Sequence, residues 1–155
     1  MRLAQIRGVA AILEGERARP IANHTVLDLI RRAEAQNRPL AEVAGELASS
    51  ATIEAAPLDI PVTPPVVLAC GCTYAPSAAF RDGELGTREG MYSYVYKAER
   101  PEIFFKGTAR VCVGPVSAIG IRIDSKFTAP EPELALVINA AGAIVASRLE
   151  CSTAM

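Results

Sequence analysis

The stretch that decides the fold is "TAPEPELALVI", Thr128–Ile138, in which two glutamates stand at the start of an apolar run. Side chains alternate between the two faces of a strand, so Glu131 and Glu133 project to one side and Leu134 and Leu136 to the other. Two neighbouring carboxylates repel each other, and a hard divalent cation such as Mg²⁺ or Ca²⁺, which prefers oxygen ligands, relieves that repulsion. The spacing alone leaves two interpretations open: a metal site, or a solvated strand face.

A third protein oxygen is normally expected in a site of this kind. Asp124 is the candidate by proximity, although it lies seven residues before Glu131 and could instead cap a strand end. The pattern therefore predicts two ligands and leaves the third open.

Composition excludes several functional classes. The chain has 155 residues, of which 50% are hydrophobic and 21% charged, with a net charge of −1 and no basic run. This is a globular composition, and it argues against a nucleic-acid partner because binding to phosphates needs concentrated positive charge. No apolar run reaches the roughly 18 residues that a membrane span needs, so no membrane is expected. The four cysteines are sparse and irregularly spaced, which favours reduced thiols in a cytoplasmic protein.

The first 60 residues predict a small α+β module. Short apolar pieces separated by glycines over residues 2–21 indicate a β-meander. Thr25 and Asp28 match a capping box, with His24 just before the helix, and Pro39 suits the first turn of a second helix. The two amphipathic helices should form a helical hairpin.

Residues 48–65 contain four prolines and predict a connection between domains. Residues 65–155 then predict a β-rich domain. The strands expected there are a buried strand at "VVLACG" and further strands at "EIFFKGTARVCVG", "GIRID" and "ELALVINAAGAIVA", the last with a hairpin turn at "NAAGAI". The segment "APSAAFRDGELG" could be a helix or an active-site loop.

Two aromatic groups and one cysteine pair have structural interpretations. Tyr92, Tyr94 and Tyr96 recur every second residue, which would place them on one strand face as core or interface. Phe104 and Phe105 are expected in the core. The motif "CGC" at residues 70–72 lacks the further Cys or His residues of a zinc site, so it is interpreted as a buried strand end.

The segments "RPEIFFKGTARVCVGP" and "IRIDSKFTAPEPELALVINAAGAIVA" resemble the catalytic domain of the fumarylacetoacetate hydrolase family. Together with "LACGCTY" and "YVYKAERPE", they are most similar to its 2-keto-3-deoxy-arabinonate dehydratase-like branch, which acts on 2-keto-3-deoxy sugar acids. The resemblance spans roughly Pro65 to Ala146. It implies the first half of a β-rich catalytic fold behind the N-terminal module.

The resemblance implies a metal cofactor. The glutamates of the family's E-x-E strand, here Glu131 and Glu133, hold Mg²⁺ or a related ion (Mn²⁺ or Ca²⁺), and a later aspartate completes the site. The metal chelates the 2-keto acid and stabilises the enolate formed during dehydration or C–C bond hydrolysis.

The resemblance also assigns residues to the substrate, which is a small 2-keto acid. Lys106 matches a lysine at the substrate's carboxylate or enolate oxygen, and Thr108 offers a hydroxyl to the same group. Tyr74 and Arg81 fall in the segment near the substrate mouth. The family's lid histidine has no counterpart, so a general base would be Glu84 or a metal-bound water. Homodimers are expected by family analogy.

The chain departs from the family after Ala146. A glycine-asparagine-aspartate stretch supplies the third metal ligand in the family, whereas this chain reads "SRLECSTAM". We therefore expect a fragment, a truncated product or a shifted reading frame that is marginally folded and inactive alone. The alternatives are a non-catalytic remnant and a structural or dimerisation partner that uses the N-terminal module and the tyrosine strand.

Overall fold

A computed structural model describes the backbone of the chain except for residues 84–89, 127 and 155, and the side chains except also for 129–131 and 148–154. The described chain falls into two compact units. Unit 1 comprises residues 1–63 with 113–155, and unit 2 comprises residues 64–112. The predicted division into a 1–60 module and a 65–155 domain stays a prediction.

Unit 1 begins with the predicted meander, which is confirmed. The strands are β1 (Leu3–Ile6), β2 (Val9–Glu14), β3 (Arg17–Ile21) and a two-residue β4 (Ile53–Glu54), paired antiparallel in that order. The β1–β2 turn places Arg7 and Gly8 at φ values of 50° and 78°. Two central residues with positive φ define the type I′ turn, whose twist matches that of the flanking strands.

The helical hairpin is also confirmed, as α1 (Val26–Ala35) and α2 (Leu40–Leu47). The Thr25 hydroxyl accepts a hydrogen bond from the Asp28 backbone N–H, while the Asp28 carboxylate accepts one from the Thr25 N–H. This reciprocal capping box satisfies donors that a helix start otherwise leaves unpaired.

The core of unit 1 lies between this hairpin and the meander. Its buried members all come from the periodic apolar positions of the two helices and of the strands β2 and β3: Ala10, Ile12, Ile21, Val26, Leu29, Ile30 and Ala44. The predicted connection then follows the meander, because the Asp59 N–H donates to Gln5 O at 2.8 Å and the Asp59 carboxylate accepts from Gly8 N at 2.7 Å.

The C-terminal part of unit 1 is the predicted β-hairpin, formed by β7 (Ala129–Ile138) and β8 (Ile144–Ala154). Its turn is held by Asn139, whose side-chain oxygen accepts from Ala143 N and whose carbonyl accepts from Gly142 N. Gly142 has a φ of 80°, a conformation that glycine adopts without a Cβ penalty.

Unit 2 contains β5 (Val67–Cys70), α3 (Ala75–Asp82), α4 (Met91–Lys97), β6 (Ile103–Gly107) and a 3₁₀ turn (Ala109–Val111). The strands β5 and β6 form a two-stranded antiparallel sheet. The open choice at residues 75–82 is resolved as a helix.

Four predictions of secondary structure or burial are wrong. The tyrosine segment is the helix α4, so a two-residue repeat there spreads the rings around a helix instead of along one strand face. The "GIRID" segment, residues 120–124, forms no strand. The two phenylalanines expected in the core, Phe104 and Phe105, are exposed. The strand β5, which was expected to be buried, is exposed at Leu68 and Cys70. Unit 2 offers no second layer of described residues to cover both sides of its sheet.

None of the helices in the described part of the chain is both long and apolar enough to cross a membrane.

Replacing Thr25 tests the importance of the cap. We expect Thr25→Ala to lower the free energy of unfolding by about 1 kcal/mol, because the Asp28 N–H loses its partner. Thr25→Ser keeps the hydroxyl and should lose little of that stability. Urea unfolding followed by circular dichroism measures both, and equal stabilities for Thr25→Ala and wild type would contradict the assigned cap.

Candidate metal centre and substrate residues

The predicted metal strand is β7, and its backbone register places the two glutamates side by side on one face. Glu131 pairs with Ser152 and Glu133 with Glu150 across the hairpin. Residues two apart on a strand are separated by roughly 7 Å, so both can reach one cation if their side chains converge. The side chain of Glu131 lies outside the described residues, and that of Glu133 is half-buried.

The glutamate face of β7 is the face that turns toward the N-terminal core. Val137 lies four residues after Glu133 and therefore on the same face, and it packs against the core cluster of unit 1 together with Val145. The β7–β8 register shifts between Val137 and Ile138, which leaves Val145 as the extra residue that also reaches this core. Glu133 thus stands at the margin of a packed region, where water is partly excluded.

No described side chain neutralises Glu133. Across the residues with described side chains, the Glu133 carboxylate makes neither a hydrogen bond nor a salt bridge. A half-buried carboxylate without a donor is unfavourable, because desolvation costs free energy that a cation or a hydrogen bond normally offsets. Two carboxylates on this face supply hard oxygen ligands of the kind that Mg²⁺ prefers, so the donor set fits part of a magnesium site.

The third ligand is absent from what is described. Among the described side chains, no group of three or more His, Cys, Asp or Glu residues could hold a metal ion. Asp124, the candidate by proximity, is exposed and forms a two-pronged pair with Arg122 at 2.9 and 2.5 Å. The Asp124 carboxylate is thus already paired with Arg122, and the third ligand position of the metal site stays unassigned.

The predicted substrate residues all lie in unit 2, where Lys106 is in β6 and Thr108 directly follows that strand. Lys106 is the extra residue where the β5–β6 register shifts, since Val67 pairs with Gly107 and Leu68 with Phe105, and the backbone is extended again at Thr108 (φ −127°, ψ 178°). Thr108 also begins the 3₁₀ turn, since its hydroxyl accepts from the Arg110 N–H at 3.4 Å. Lys106 is exposed, and within the described side chains its ammonium has no carboxylate partner.

Tyr74 and Arg81 are brought together by a different element. Tyr74 is the residue immediately before α3, and Arg81 is in the last turn of that helix, seven residues later. Seven residues are close to two full turns, so both belong to the same side of α3. Glu84, the predicted general base, lies outside the described residues.

Sequence reasoning missed Asp82, which connects the two helices of unit 2. Its carboxylate accepts hydrogen bonds from Tyr92 N at 2.8 Å, Ser93 N at 3.1 Å and the Ser93 hydroxyl at 2.5 Å. The Ser93 hydroxyl, helped by the two backbone donors, holds the pKa of Asp82 below its ordinary value of 3.8 against the opposing effect of desolvation. Asp82 therefore holds α4 against the end of α3. This cap joins Asp82 to Tyr92, ten residues later, and no short sequence motif predicts a contact at that separation.

Gly107 was missed as well. A Cβ atom at this position would stand 2.5 Å from Val111 Cγ2. A larger residue here would force the Val111 side chain or the 3₁₀ turn to shift.

A cavity of about 180 Å³ lies in unit 2, between the end of β5 and the end of α4. Cys72 and Thr73 line it on one side and Tyr96 on the other. Pockets for small molecules are typically about 300–1,000 Å³, so this cavity is small for a complete substrate. The described cysteines, Cys70, Cys72 and Cys112, form no disulfide.

Asp82 has a testable pH dependence. Because its folded pKa is lowered, the carboxylate contributes stability that is fully present above about pH 3.8 and is lost as the pH falls through the lower folded value. We expect Asp82→Asn to lower the melting temperature near pH 6 and to show a shallower loss between pH 5 and pH 2 than wild type.

Ser93→Ala is the matched variant. It removes the hydroxyl that lowers the pKa of Asp82 most and leaves the Asp82 carboxylate in place. Thermal unfolding by circular dichroism measures all three proteins. Identical pH profiles for wild type and Asp82→Asn would show that this cap contributes nothing to stability.

No family model matches the chain. Two curated proteins are similar in sequence. A 2-dehydro-3-deoxy-D-arabinonate dehydratase of Saccharolobus solfataricus is 42% identical over 88 residues, which cover 55% of this chain and 30% of the relative. A probable 2-keto-3-deoxyxylonate dehydratase of Haloferax volcanii is 40% identical over 117 residues, which cover 72% of this chain and 40% of the relative.

Solved structures of the same kind of enzyme are similar in fold. A 2-keto-3-deoxy-D-arabinonate dehydratase complexed with magnesium and 2,5-dioxopentanoate has a TM-score of 0.64 at 25% identity. The apo form of 2-keto-3-deoxy-D-arabinonate dehydratase has a TM-score of 0.66 at 26% identity. Each match covers 97% of this chain and 54% of the solved chain.

The chain thus spans about half of these solved chains and less than half of the curated relatives. Over that span its relatives are 2-keto-3-deoxy sugar acid dehydratases, and the resemblance to a fumarylacetoacetate hydrolase-type fold is supported.

Proposed function

We propose that the chain carries the E-x-E metal strand and a substrate-binding strand of a magnesium-dependent dehydratase of 2-keto-3-deoxy sugar acids. The observation that carries the proposal is the half-buried Glu133 carboxylate, which has no cation or donor among the described side chains, on the same strand face as Glu131. The similarity to dehydratases, one of them solved with magnesium, supports the choice of metal and reaction class.

In this proposal Glu131 and Glu133 hold the metal through one or more carboxylate oxygens each. When bound, the magnesium ion supplies Lewis-acid polarisation of the substrate's 2-keto oxygen. Water and protein oxygen atoms outside the described residues fill the other positions, as is usual for a metal that keeps several waters.

Lys106 and Thr108 bind the substrate's carboxylate in the same proposal. An exposed ammonium without a described partner can bind an anion without breaking an existing ion pair, and the hydroxyl of Thr108, two residues later, is proposed to add a hydrogen bond. Tyr74 and Arg81, on one side of α3, are proposed as further substrate-binding residues of unit 2.

The loss of water from a 2-keto-3-deoxy acid breaks one C–H bond next to the ketone and one C–O bond at the following carbon. In this proposal Glu84 takes the proton from the C–H bond and delivers it to the departing hydroxyl, so that one molecule of water leaves. The low-energy route depends on stabilising negative charge on the keto acid oxygens, which is the role of Lys106.

We further propose that residues 1–155 by themselves bind metal weakly and do not turn over substrate, because the third ligand is missing from the described side chains. A non-catalytic remnant is the second candidate, and the same observation favours it. The dimerisation role based on a tyrosine strand loses its basis, since that segment is the helix α4.

Magnesium titration tests the metal centre directly. We expect Glu131→Gln and Glu133→Gln each to weaken Mg²⁺ binding at least tenfold, because each removes a charged ligand without changing the side chain's shape. Glu16→Gln, in the β2–β3 turn, is the matched control and should bind like wild type. Isothermal titration calorimetry with Mg²⁺, and Mn²⁺ titration followed by electron paramagnetic resonance, measure binding without any requirement for activity. Binding that is unaffected in both variants would end the proposal.

Titration with pyruvate in saturating Mg²⁺ tests Lys106. We expect Lys106→Met to reduce pyruvate affinity at least tenfold, because the ammonium that pairs with the carboxylate is lost. Lys126→Met, which removes an exposed lysine of unit 1, is the control. Equal losses in the two variants would indicate a general charge effect instead of a binding residue.

A further inference from the structure

Cys70 and Cys72 stand on either side of Gly71 at the end of β5, and neither is used by the proposed metal or substrate site. Cys70 is exposed, Cys72 is half-buried, and neither forms a disulfide in this structure. The Gly71 N–H donates to Glu102 O at 2.8 Å, so the hydrogen bonding of the β5–β6 sheet reaches the residue between them. The chain then bends at Gly71, and Cys72 follows with a φ of 47°. The pair thus joins the end of a strand to the segment that leads to α3.

The separation of the two cysteines suits a disulfide bond. Cα atoms two residues apart are at most about 7 Å apart in an extended chain, and the bend at Gly71 shortens that distance. Disulfides typically join Cα atoms about 4.4–6.8 Å apart. Because Gly71 carries no Cβ, the backbone between the two cysteines can adjust to the small ring that such a bond closes.

The third described cysteine, Cys112, is placed apart from this pair. Its thiol donates to Thr108 O at 3.6 Å, and Thr108 directly follows β6, beside the Val67 end of β5. Cys70 lies at the other end of β5, three residues from Val67 and therefore about 10 Å along the strand. That distance is too long for a disulfide, so among the described cysteines Cys70 and Cys72 are the two that can bond to each other.

We propose that Cys70 and Cys72 form a reversible dithiol–disulfide pair that acts as a redox switch on residues 71–74. The oxidant is a low-molecular-weight disulfide. The Cys70 thiolate attacks one of its sulfur atoms and releases one small thiol, and the Cys72 thiolate then attacks the Cys70 sulfur and releases the second. The chain gives up two protons and two electrons, the small disulfide is reduced to two thiols, and one S–S bond joins Cys70 to Cys72.

The position of Cys72 gives the bond a structural consequence. Cys72 lines the cavity of about 180 Å³ opposite Tyr96, whereas Cys70 lies outside its lining residues. A bond to Cys70 therefore draws the Cys72 sulfur from the cavity wall toward β5 and ties the start of the segment before α3 to the strand. Exposed or strained disulfides are the readily reduced ones, so the bond at exposed Cys70 is reversible. The switch is independent of the proposed function, since neither thiol is assigned to the metal or to the substrate.

Equilibration of the full chain in mixtures of reduced and oxidised glutathione tests the proposal. Acid quenching, alkylation of the remaining thiols and peptide mass spectrometry then locate each bond. We expect the oxidised wild-type chain to have two fewer alkylated thiols than the reduced chain, with an S–S bond inside the peptide that contains Cys70 and Cys72. Dithiothreitol should return both thiols.

Cys72→Ser removes the second thiol of the exchange, so we expect a mixed disulfide between Cys70 and glutathione in place of the internal bond. Cys112→Ser is the matched control, because it removes a thiol of the same unit outside the pair, and it should oxidise like wild type. The proposal is overturned by a bond to Cys112 or Cys151, by a bond between two chains as the main product, or by complete alkylation at every glutathione ratio.

Hydrogen exchange on the wild-type chain measures the switch without any variant. We expect the amides of residues 71–74 to exchange at least threefold more slowly in the oxidised form, because the cross-link limits local opening of this segment. The amides of β1 and β2, in unit 1, should exchange equally in both forms. An internal bond that leaves exchange at residues 71–74 unchanged would show that the pair is no switch.

Discussion

The contact of Val137 and Val145 with the N-terminal core is the interaction on which the rest of unit 1 depends. It joins two parts of the chain that are more than a hundred residues apart, and it fixes which face of the hairpin is inside. A hydrogen bond from the Ala141 N–H to the Glu34 carboxylate, at 3.0 Å, secures the turn of the hairpin to α1. A one-residue slip of β7 would turn its glutamates to the opposite face, so this contact also sets the direction of Glu133.

The same contact explains why a register shift lies at this end of the hairpin. Val145 is the residue inserted between the partners of Val137 and Ile138. An inserted residue bends its strand and increases the local twist, and here the bend brings a second valine to the core.

Unit 2 relies on different constraints, which are the close packing of a side chain against Gly107 and the cap that Asp82 provides for α4. Gly107 leaves room for the side chain of Val111, in the 3₁₀ turn, and Asp82 connects α3 to α4 through Tyr92 and Ser93. These contacts shape the frame around Lys106 and Thr108, while the apolar residues of β5 and β6 stay exposed. Local hydrogen bonds therefore define unit 2 more than burial does.

The sequence by itself determined the elements whose information is local. The meander, the Thr25 capping box, the helical hairpin and the turn at Asn139 follow from periodicity, capping and turn chemistry, and the common face of Glu131 and Glu133 follows from strand alternation. The errors arose where local patterns are ambiguous: a two-residue tyrosine repeat fits a strand, but α4 forms because a distant aspartate, Asp82, caps its start.

Tertiary structure alone decided which strand faces are covered. The exposure of Phe105 and of Ile138 could not be read from hydrophobicity, since burial depends on whether a second layer is present and not on the side chain itself. For the same reason, strand alternation paired the two glutamates, but only the packing of Val137 placed Glu133 on the face toward the core. Periodicity is a property of neighbouring residues, whereas coverage is a property of the whole fold.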